Sequence, residues 1–224
     1  MDEARAQILG GIQRALKRGP LADADRAACE ARLAAPTRNL IPRRSQVPHA
    51  EQIEQFAAMA TDVAATVARV GTLDDVVDEV ADYLAGLNLP TAVKVAPDRA
   101  LAAIPWSKRP TLEVMVGGAS DADLTAVTGA VVGIAETGTL MLASGPDAPT
   151  GLNFLPENHI VVLRADQVTG VYEDGWDRLR RSGAMPRTVN FITGPSRTGD
   201  IEQTIQLGAH GPRRLHIILV EDGG

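Results

Sequence analysis

The chain has 224 residues, of which 45% are apolar and 22% charged, values that are ordinary for a soluble globular protein with one large domain. Its formal net charge of −6 gives no overall positive field for binding nucleic acid or an anionic membrane surface. The single cysteine, Cys29, excludes an intrachain disulfide and an iron–sulfur cluster held by this chain alone.

The first residues, MDEAR, lack the basic start and the apolar segment of a signal peptide. No apolar run approaches the roughly 20 residues that a membrane-spanning helix needs. We therefore expect a cytoplasmic protein with no membrane span. Cys29 lies in an Ala-rich helical stretch, where we expect it to be a small buried side chain.

The first 88 residues are predicted to form a helical N-terminal region, either part of the same domain or an extension of it. Apolar residues recur at helical spacing over residues 4–16, and Gly19-Pro20 ends this helix. A second helix is predicted over residues 22–33. Residues 36–50 contain three prolines and no clean period, which favours an extended loop or arm.

Two further helices are predicted before residue 89. The first has an apolar face that runs from Ile53 to Val67. The second begins at the capping-box-like segment Thr72-Leu73-Asp74-Asp75 and ends at Gly86.

Residues 89–224 are predicted to form an α/β body, because short strand-like runs alternate there with short helical patterns. The predicted strands are residues 92–95, 112–116, 131–134, 139–143, 160–163, 188–193 and 215–220. The predicted helices are residues 121–128, 174–181 and 200–207. Runs such as LHIILV suit strands buried on both faces, so we expect a mostly parallel sheet with flanking helices.

Three Gly-rich polar segments follow strand-like runs and are candidate ligand sites: GIAETGTL (133–140), GPSRTGDIE (194–202) and GAHGP (208–212). In open α/β sheets, ligands bind beyond the carboxyl ends of strands. In the second segment, Asp200 is predicted to cap a helix whose first N–H groups, with Ser196, Arg197 and Thr198, would bind a carboxylate or phosphate. The alternative is that these residues only build a strand-to-helix turn.

Several common site patterns are absent from the sequence. The Walker-like spacing from Gly194 to Gly199 is followed by Asp200 instead of Lys-Ser/Thr, which disfavours an NTPase. There is no Gly-x-Gly-x-x-Gly after a strand, no Gly-x-Ser-x-Gly elbow and no HExxH. No histidine pair has helical metal-binding spacing, so we expect no metal site.

Glu136 and His210 are the candidate catalytic residues. The Glu136 carboxylate lies in a turn with Thr137, Gly138 and Thr139, where it would serve as a base, a nucleophile or only an acceptor for backbone N–H groups. His210 lies in a Gly/Pro turn and is the best placed of the four histidines.

The remaining histidines are expected to be structural. His159 and His216 adjoin or enter buried strands, where hydrogen bonding within the protein is the favoured role.

The segments GIAETGTLML, PENHIVVL and GPSRTGDIEQTIQLGAHGPRRLHIILV, in this order within about residues 112–221, resemble the lactate-utilization protein C family and its LUD (formerly DUF162) domain. The family usually has Ala at the position of Gly199. The resemblance implies the fold shared by ribose-phosphate isomerases, glucosamine-phosphate deaminases and CoA transferases. It also implies a role in oxidising L-lactate to pyruvate beside two partner proteins that carry iron–sulfur clusters.

Three functional hypotheses follow. In the first, the chain is a cluster-free subunit that binds lactate or assists assembly, with Glu136, Thr137, Ser196, Arg197 and Thr198 lining the site. Arg197 would then pair with the carboxylate and His210 would handle a proton. In the second, a free-standing enzyme uses Glu136 on a small phosphorylated or acyl-CoA substrate. In the third, the chain is a structural interaction module that docks through residues 36–50.

Overall fold

The computed structural model describes residues 2–183, 185–198, 206–208 and 210–221. The chain divides into two compact units, residues 1–40 and residues 41–224. The first unit contains the helices α1 (Asp2–Ala15) and α2 (Asp23–Ala34). No residue of α2 is buried, and Cys29 is exposed, so the prediction of a buried cysteine is wrong. Charged residues are spread around the sequence DADRAACEARLA, which leaves α2 without a continuous apolar face.

The second unit contains the remaining elements. Its helices are α3 (His49–Asp62), α4 (Val76–Gly86), α5 (Arg99–Ala102) and α6 (Tyr172–Arg181). Its strands are β1 (Thr66–Val70), β2 (Ala92–Val95), β3 (Glu113–Val116), β4 (Thr125–Gly129), β5 (Val132–Ile134), β6 (Thr139–Ala143), β7 (Asn158–Arg164), β8 (Val168–Thr169), β9 (Val189–Ile192), β10 (Arg197–Thr198), β11 (Gln206–Leu207) and β12 (Arg214–Val220).

Six of these strands form a parallel sheet in the order β1-β12-β7-β4-β2-β3. A smaller sheet has the order β8-β5-β6-β9, with antiparallel pairing of β6 to both of its neighbours. The short strands β10 and β11 pair antiparallel. A mostly parallel sheet with flanking helices is thus confirmed, whereas the likeness to CoA transferases and ribose-phosphate isomerases stays a prediction.

The two sheets and the helices pack in layers. One face of the parallel sheet packs against the apolar face of α4, which buries Val77, Val80 and Leu84. The other face packs against α3 and the inner face of the smaller sheet, in a core that includes Phe56 and Leu140. Helix α6 covers the outer face of the smaller sheet. Both central strands of the parallel sheet, β7 and β12, are consequently buried on both faces.

Two local predictions are wrong because strands replace helices. Helix α3 ends at Asp62, and residues 66–70 form β1, paired with β12, after a backbone reversal at Ala64 (φ 69°). A strand of the parallel sheet therefore precedes residue 89. Residues 125–129 form the buried strand β4, because Asp123 does not start a helix: its carboxylate accepts hydrogen bonds from the backbone N–H and hydroxyl of Ser120.

Other local predictions fare differently. The interaction between Thr72 and Asp75 is present before α4, where the Asp75 carboxylate accepts from the Thr72 N–H and hydroxyl. Of the helix predicted over residues 200–207, the last two residues form β11, and residues 200–205 lie outside the described part of the chain.

The smaller sheet approaches the rest of the core most closely at Gly133 of β5. A Cβ atom at this position would lie 2.6 Å from Cδ2 of Leu163 and 3.0 Å from Cε2 of Phe56. Gly133 therefore lets the two sheets and α3 meet without a gap or a clash.

We expect Gly133→Ala to destabilise the protein by about 1–3 kcal/mol, because the added methyl group overpacks this junction. Gly145→Ala is the matched control, since its added Cβ would have no atom within 4 Å; its unfolding free energy should stay within about 1 kcal/mol of the wild type. Urea unfolding measures both values. Equal midpoints for the two variants would contradict this account of the packing.

Candidate functional site

A cavity of about 270 Å³ lies at the amino ends of β7 and β12. Its lining comes from residues 153–154, 191–197 and 210–212, together with His159 and Leu215. Aromatic side chains at Phe154 and Phe191 stand beside polar ones, so the cavity combines apolar walls with hydrogen-bonding groups. This mixture is typical of sites for small molecules.

The cavity brings together three of the residues predicted from the sequence, namely Ser196, Arg197 and His210. They lie at the amino ends of parallel strands, not at the carboxyl ends, because the preceding strand β9 belongs to the smaller sheet. Thr198 belongs to β10 and is not among the lining residues. Asp200 lies outside the described residues.

Backbone hydrogen bonds join the two Gly-rich segments that line the cavity. The N–H of Ser196 donates to the carbonyl of Pro212 at 2.9 Å, and the N–H of Gly208 donates to the carbonyl of Ser196 at 2.9 Å. A Cβ at Gly211 would lie only 3.3 Å from Cβ of Ser196, so the segments are closely packed. This pairing explains why Ser196 and His210 reach one cavity although 14 positions separate them.

The segment that carries Arg197 also packs on the end of α3. The exposed guanidinium group of Arg197 donates a hydrogen bond to the carbonyl of Val63, the residue that follows α3. Gly194 has φ 76°, and a Cβ there would lie 2.2 Å from the Val63 carbonyl oxygen. Arg197 thus has a structural contact in addition to its place at the cavity, and its pairing with a carboxylate stays a prediction.

Glu136 is nearly buried and lies outside the lining of this cavity. Its Oε1 atom is 4.0 Å from Nη2 of Arg44, and its backbone N–H donates to the carbonyl of Gly170 at 3.0 Å. Arg44 is part of a 3₁₀ turn whose last residue, Ser45, is buried. This part of the predicted arm is therefore folded into the second unit, where it places a cation beside the Glu136 carboxylate.

Hydroxyl groups connect the Glu136 turn with the cavity wall. The Thr139 hydroxyl lies 2.7 Å from the hydroxyls of Thr137 and Thr193 and 3.0 Å from that of Tyr172. Thr193 in turn lines the cavity. The predicted binding residues Thr137 and Thr139 thus reach the cavity only through other hydroxyl groups.

Gly138, also predicted to bind a ligand, has a packing role. It adopts φ 64°, and a Cβ at this position would lie 2.3 Å from the backbone nitrogen of Ala60. Only glycine permits this approach to α3 in this conformation.

His159 is a cavity residue that sequence reasoning assigned to structure. It is the second residue of β7, is 1% exposed, and forms part of the cavity wall. Its Nε2 atom lies 2.8 Å from the hydroxyl of Thr128, whereas the buried Nδ1 atom has no hydrogen-bond partner within the described part of the chain. Burial lowers the pKa of His159 to about 3, so the ring is neutral at pH 7. A histidine directly before the apolar run IVVL of a strand expected to be buried was the available signal.

His216 lies on the opposite face of the parallel sheet. Its Nδ1 atom is 2.8 Å from the hydroxyl of Thr66, and its ring stacks on Tyr83 at 4.1 Å. Nε2 approaches Oε1 of Glu79 at 3.2 Å without hydrogen-bond geometry. Burial lowers the pKa of His216 to about 4 and raises that of Glu79. These contacts agree with the structural role predicted for His216.

The described residues contain neither a metal-binding cluster nor a membrane-spanning helix. No group of three or more His, Cys, Asp or Glu side chains among them is arranged to hold a metal ion. In the same part of the chain, no helix is both long and apolar enough to cross a membrane.

Comparison with known proteins gives a family match over part of the chain. Residues 118–220 match the family model of the LUD domain. Over these residues the chain is similar to the LUD domain. A crystal structure of a DUF162 family protein from Deinococcus radiodurans matches with a TM-score of 0.58 and 25% identity, covering 78% of this chain and 99% of that one. The family resemblance stated from the sequence is confirmed.

Curated relatives of the chain include an uncharacterized protein of Neisseria meningitidis serogroup B, 40% identical over 42% of the chain and 40% of the relative. Lactate utilization protein C of Deinococcus radiodurans is 38% identical over 42% of the chain and 45% of the relative. The chain thus matches less than half the length of these two proteins. Lactate utilization protein C of Halalkalibacterium halodurans is 29% identical over 75% of the chain and 77% of the relative.

The matched LUD domain contains all the cavity-lining residues and the Glu136 turn. It begins between β3 and β4, so β1, α3 and α4 lie outside the matched range. The contacts from Arg197 to Val63 and from Glu136 to Arg44 therefore join the LUD domain to preceding parts of the chain.

We expect the unfolding free energy to fall as the pH is lowered from 7.5 to 5, and His159 to account for about 2 kcal/mol of that fall. The pKa of His159 is about 3 in the folded chain but close to its ordinary 6.5 in the unfolded chain. Between these values only the unfolded state takes up the proton, so stability is complete above pH 6.5 and is lost as the pH falls.

Urea unfolding of the wild type and of His159→Gln at both pH values checks this expectation. Glutamine does not titrate and keeps a polar group for Thr128, so its loss on acidification should be about 2 kcal/mol smaller. An identical loss in both proteins would show that His159 does not carry this pH dependence.

Proposed function

We propose that this chain is a subunit of an L-lactate utilization system and that it binds a small carboxylate in the cavity at the amino ends of β7 and β12. The names of several relatives, lactate utilization protein C, support the biological role. The observation that carries the binding role is the convergence of Ser196, Arg197, His210 and His159 on one cavity inside the matched domain.

The chemistry of the cavity suits a small anion with an apolar part. The volume of about 270 Å³ is at the lower end for ligand pockets, which favours a small molecule. The guanidinium group of Arg197 has five N–H donors, and the contact with Val63 uses one, so the fork remains able to pair with a carboxylate. His210 and Ser196 add hydrogen-bonding groups, and Phe154 and Phe191 offer apolar contact for a methyl group.

The oxidising step requires other proteins. Conversion of lactate to pyruvate releases two electrons and two protons, and a chain with one cysteine does not hold an iron–sulfur cluster by itself. The proposal therefore assigns the electron acceptors to partner subunits that carry iron–sulfur clusters. This chain would bind the carboxylate, assist assembly of the complex, or do both.

A second candidate function is a free-standing enzyme that uses Glu136 on a small phosphorylated or acyl-CoA substrate. The observation that favours it is the nearly buried Glu136 carboxylate beside Arg44, with hydroxyl groups leading to the cavity wall. Turnover of such a substrate by the isolated chain, lost in Glu136→Gln, would support this function. The absence of turnover across both substrate classes would count against it.

Part of the arm proposed for a pure interaction module, residues 36–50, is packed within the second unit. Ser45 is buried, and a Cβ at Gly170 would lie 2.4 Å from the Ser45 carbonyl oxygen. A deletion of residues 36–50 would therefore disturb the folded unit as well as any docking surface.

We expect wild-type protein to bind L-lactate in calorimetric titration, and Arg197→Ala to weaken this binding at least about tenfold through loss of the charge-assisted pair. D-lactate, pyruvate and phosphate are titrated in parallel to define selectivity. The matched control is Arg181→Ala, which removes an exposed arginine of α6 and should leave the affinity unchanged.

Thermal unfolding of each variant separates binding from folding, because Arg197→Ala also removes the contact with Val63. Unchanged affinity in a folded Arg197→Ala protein would remove this residue from the site. If the folded wild type binds none of the four compounds, assembly becomes the favoured role.

A further inference from the structure

Among the described residues, the Nδ1 atom of His159 has no hydrogen-bond partner, and its side chain is buried beside a cavity. The side chain is 1% exposed, and its other nitrogen is already engaged by the Thr128 hydroxyl at 2.8 Å. Buried polar atoms in folded proteins are almost always hydrogen-bonded, and an unpaired one is destabilising. His159 is also one of the residues that line the cavity, so a molecule bound there lies beside this side chain.

The environment of the ring fixes what this partner must offer. A neutral imidazole carries one proton, and orphaned buried N–H donors are rarer than unpaired acceptors. The proton is therefore better placed on Nε2, where it is donated to the Thr128 hydroxyl. Nδ1 is then a bare acceptor, and its complement is a hydrogen-bond donor such as a hydroxyl group.

The need for a hydrogen-bond donor distinguishes 2-hydroxy acids from 2-oxo acids, which are both small carboxylates. A 2-hydroxy acid has an O–H group next to its carboxylate, whereas the corresponding 2-oxo acid has a carbonyl oxygen that only accepts. Arg197 is able to recognise the carboxylate of either compound but does not distinguish them. An unprotonated Nδ1 atom of His159 distinguishes them, because it accepts a hydrogen bond from a hydroxyl group but not from a carbonyl oxygen.

We propose that His159 is a specificity residue that accepts a hydrogen bond from the hydroxyl group of a 2-hydroxy carboxylate and so favours this class of ligand over 2-oxo acids. The inference rests on the proposed function, because it assumes that a carboxylate occupies the cavity. It gives His159 a positioning role and no part in proton transfer. The oxidised product, which lacks the hydroxyl donor, is then bound less tightly than the substrate.

The test is calorimetric titration of the full chain with L-lactate, pyruvate and propionate, which share a three-carbon carboxylate and differ at the second carbon. Wild type should bind L-lactate at least about tenfold more tightly than either of the others. His159→Phe keeps a ring of similar size without an acceptor and should bring the three affinities to within about threefold, mainly by weakening L-lactate.

Two further variants keep the test independent of one substitution. His159→Gln retains a polar group for Thr128 without an acceptor at the Nδ1 position, and it should also lose the preference for L-lactate. Thr128→Val frees the ring to move its proton to Nδ1, so the preference should shrink although the imidazole remains. Circular dichroism and thermal unfolding confirm that each variant is folded.

The outcomes distinguish this inference from the proposed function. If the folded wild type binds none of the three carboxylates, the proposed function and the inference both fail. If binding depends on Arg197 but the preference for L-lactate is absent in wild type or unchanged in both folded His159 variants, only the inference fails. Loss of the preference in His159→Phe and His159→Gln, with pyruvate and propionate binding retained, supports it.

Discussion

The burial of β7 and β12 on both faces is the constraint on which the rest of the structure depends. Each strand has a parallel neighbour on both edges, so its backbone N–H and C=O groups are paired within the sheet. Its side chains alternate between the α4 layer and the layer formed by α3 and the smaller sheet, and the second layer is held close by Gly133. Such a core tolerates a polar side chain only where its hydrogen bonds are made. Among the described residues of these two strands, His159 and His216 each have one buried nitrogen without a hydrogen bond, and His159 lies at the cavity.

The sequence predicts the parallel sheet because its central strands are continuous apolar runs of β-branched residues and leucine. It does not predict β1 or β4, for two different reasons. The TVARV segment of β1 carries an arginine and continues the apolar spacing of α3, so only its pairing with β12 identifies it as a strand. The TAVTG segment of β4 follows an Asp-rich turn that imitates a helix start. In both cases the deciding interactions come from residues distant in the chain.

The candidate site shows the same division between local and distant information. The Gly-rich segments identify Ser196, Arg197 and His210 as residues whose side chains are able to bind a ligand or take part in a reaction. The structure places all three at one cavity. The Gly-rich segments do not predict which residues surround each candidate side chain. Arg44, which lies beside Glu136, is 92 positions earlier in the sequence. Thr128, which contacts His159, belongs to a strand for which the local sequence pattern predicts a helix. Burial and pairing, which give a titratable group its chemistry, follow from topology.

His159 is a costly residue if its role is only structural. An aliphatic side chain at this position would bury apolar surface and leave no nitrogen unpaired. In return the ring gains a hydrogen bond with the Thr128 hydroxyl. A site that is less stable than its apolar alternative is expected where function demands it. His216, buried on the other face, also has one nitrogen without a hydrogen bond among the described residues, but this atom, Nε2, lies 3.2 Å from Oε1 of Glu79. Of the two rings, His159 is the one that belongs to the lining of the cavity, and this position, not burial alone, is what points to a ligand there.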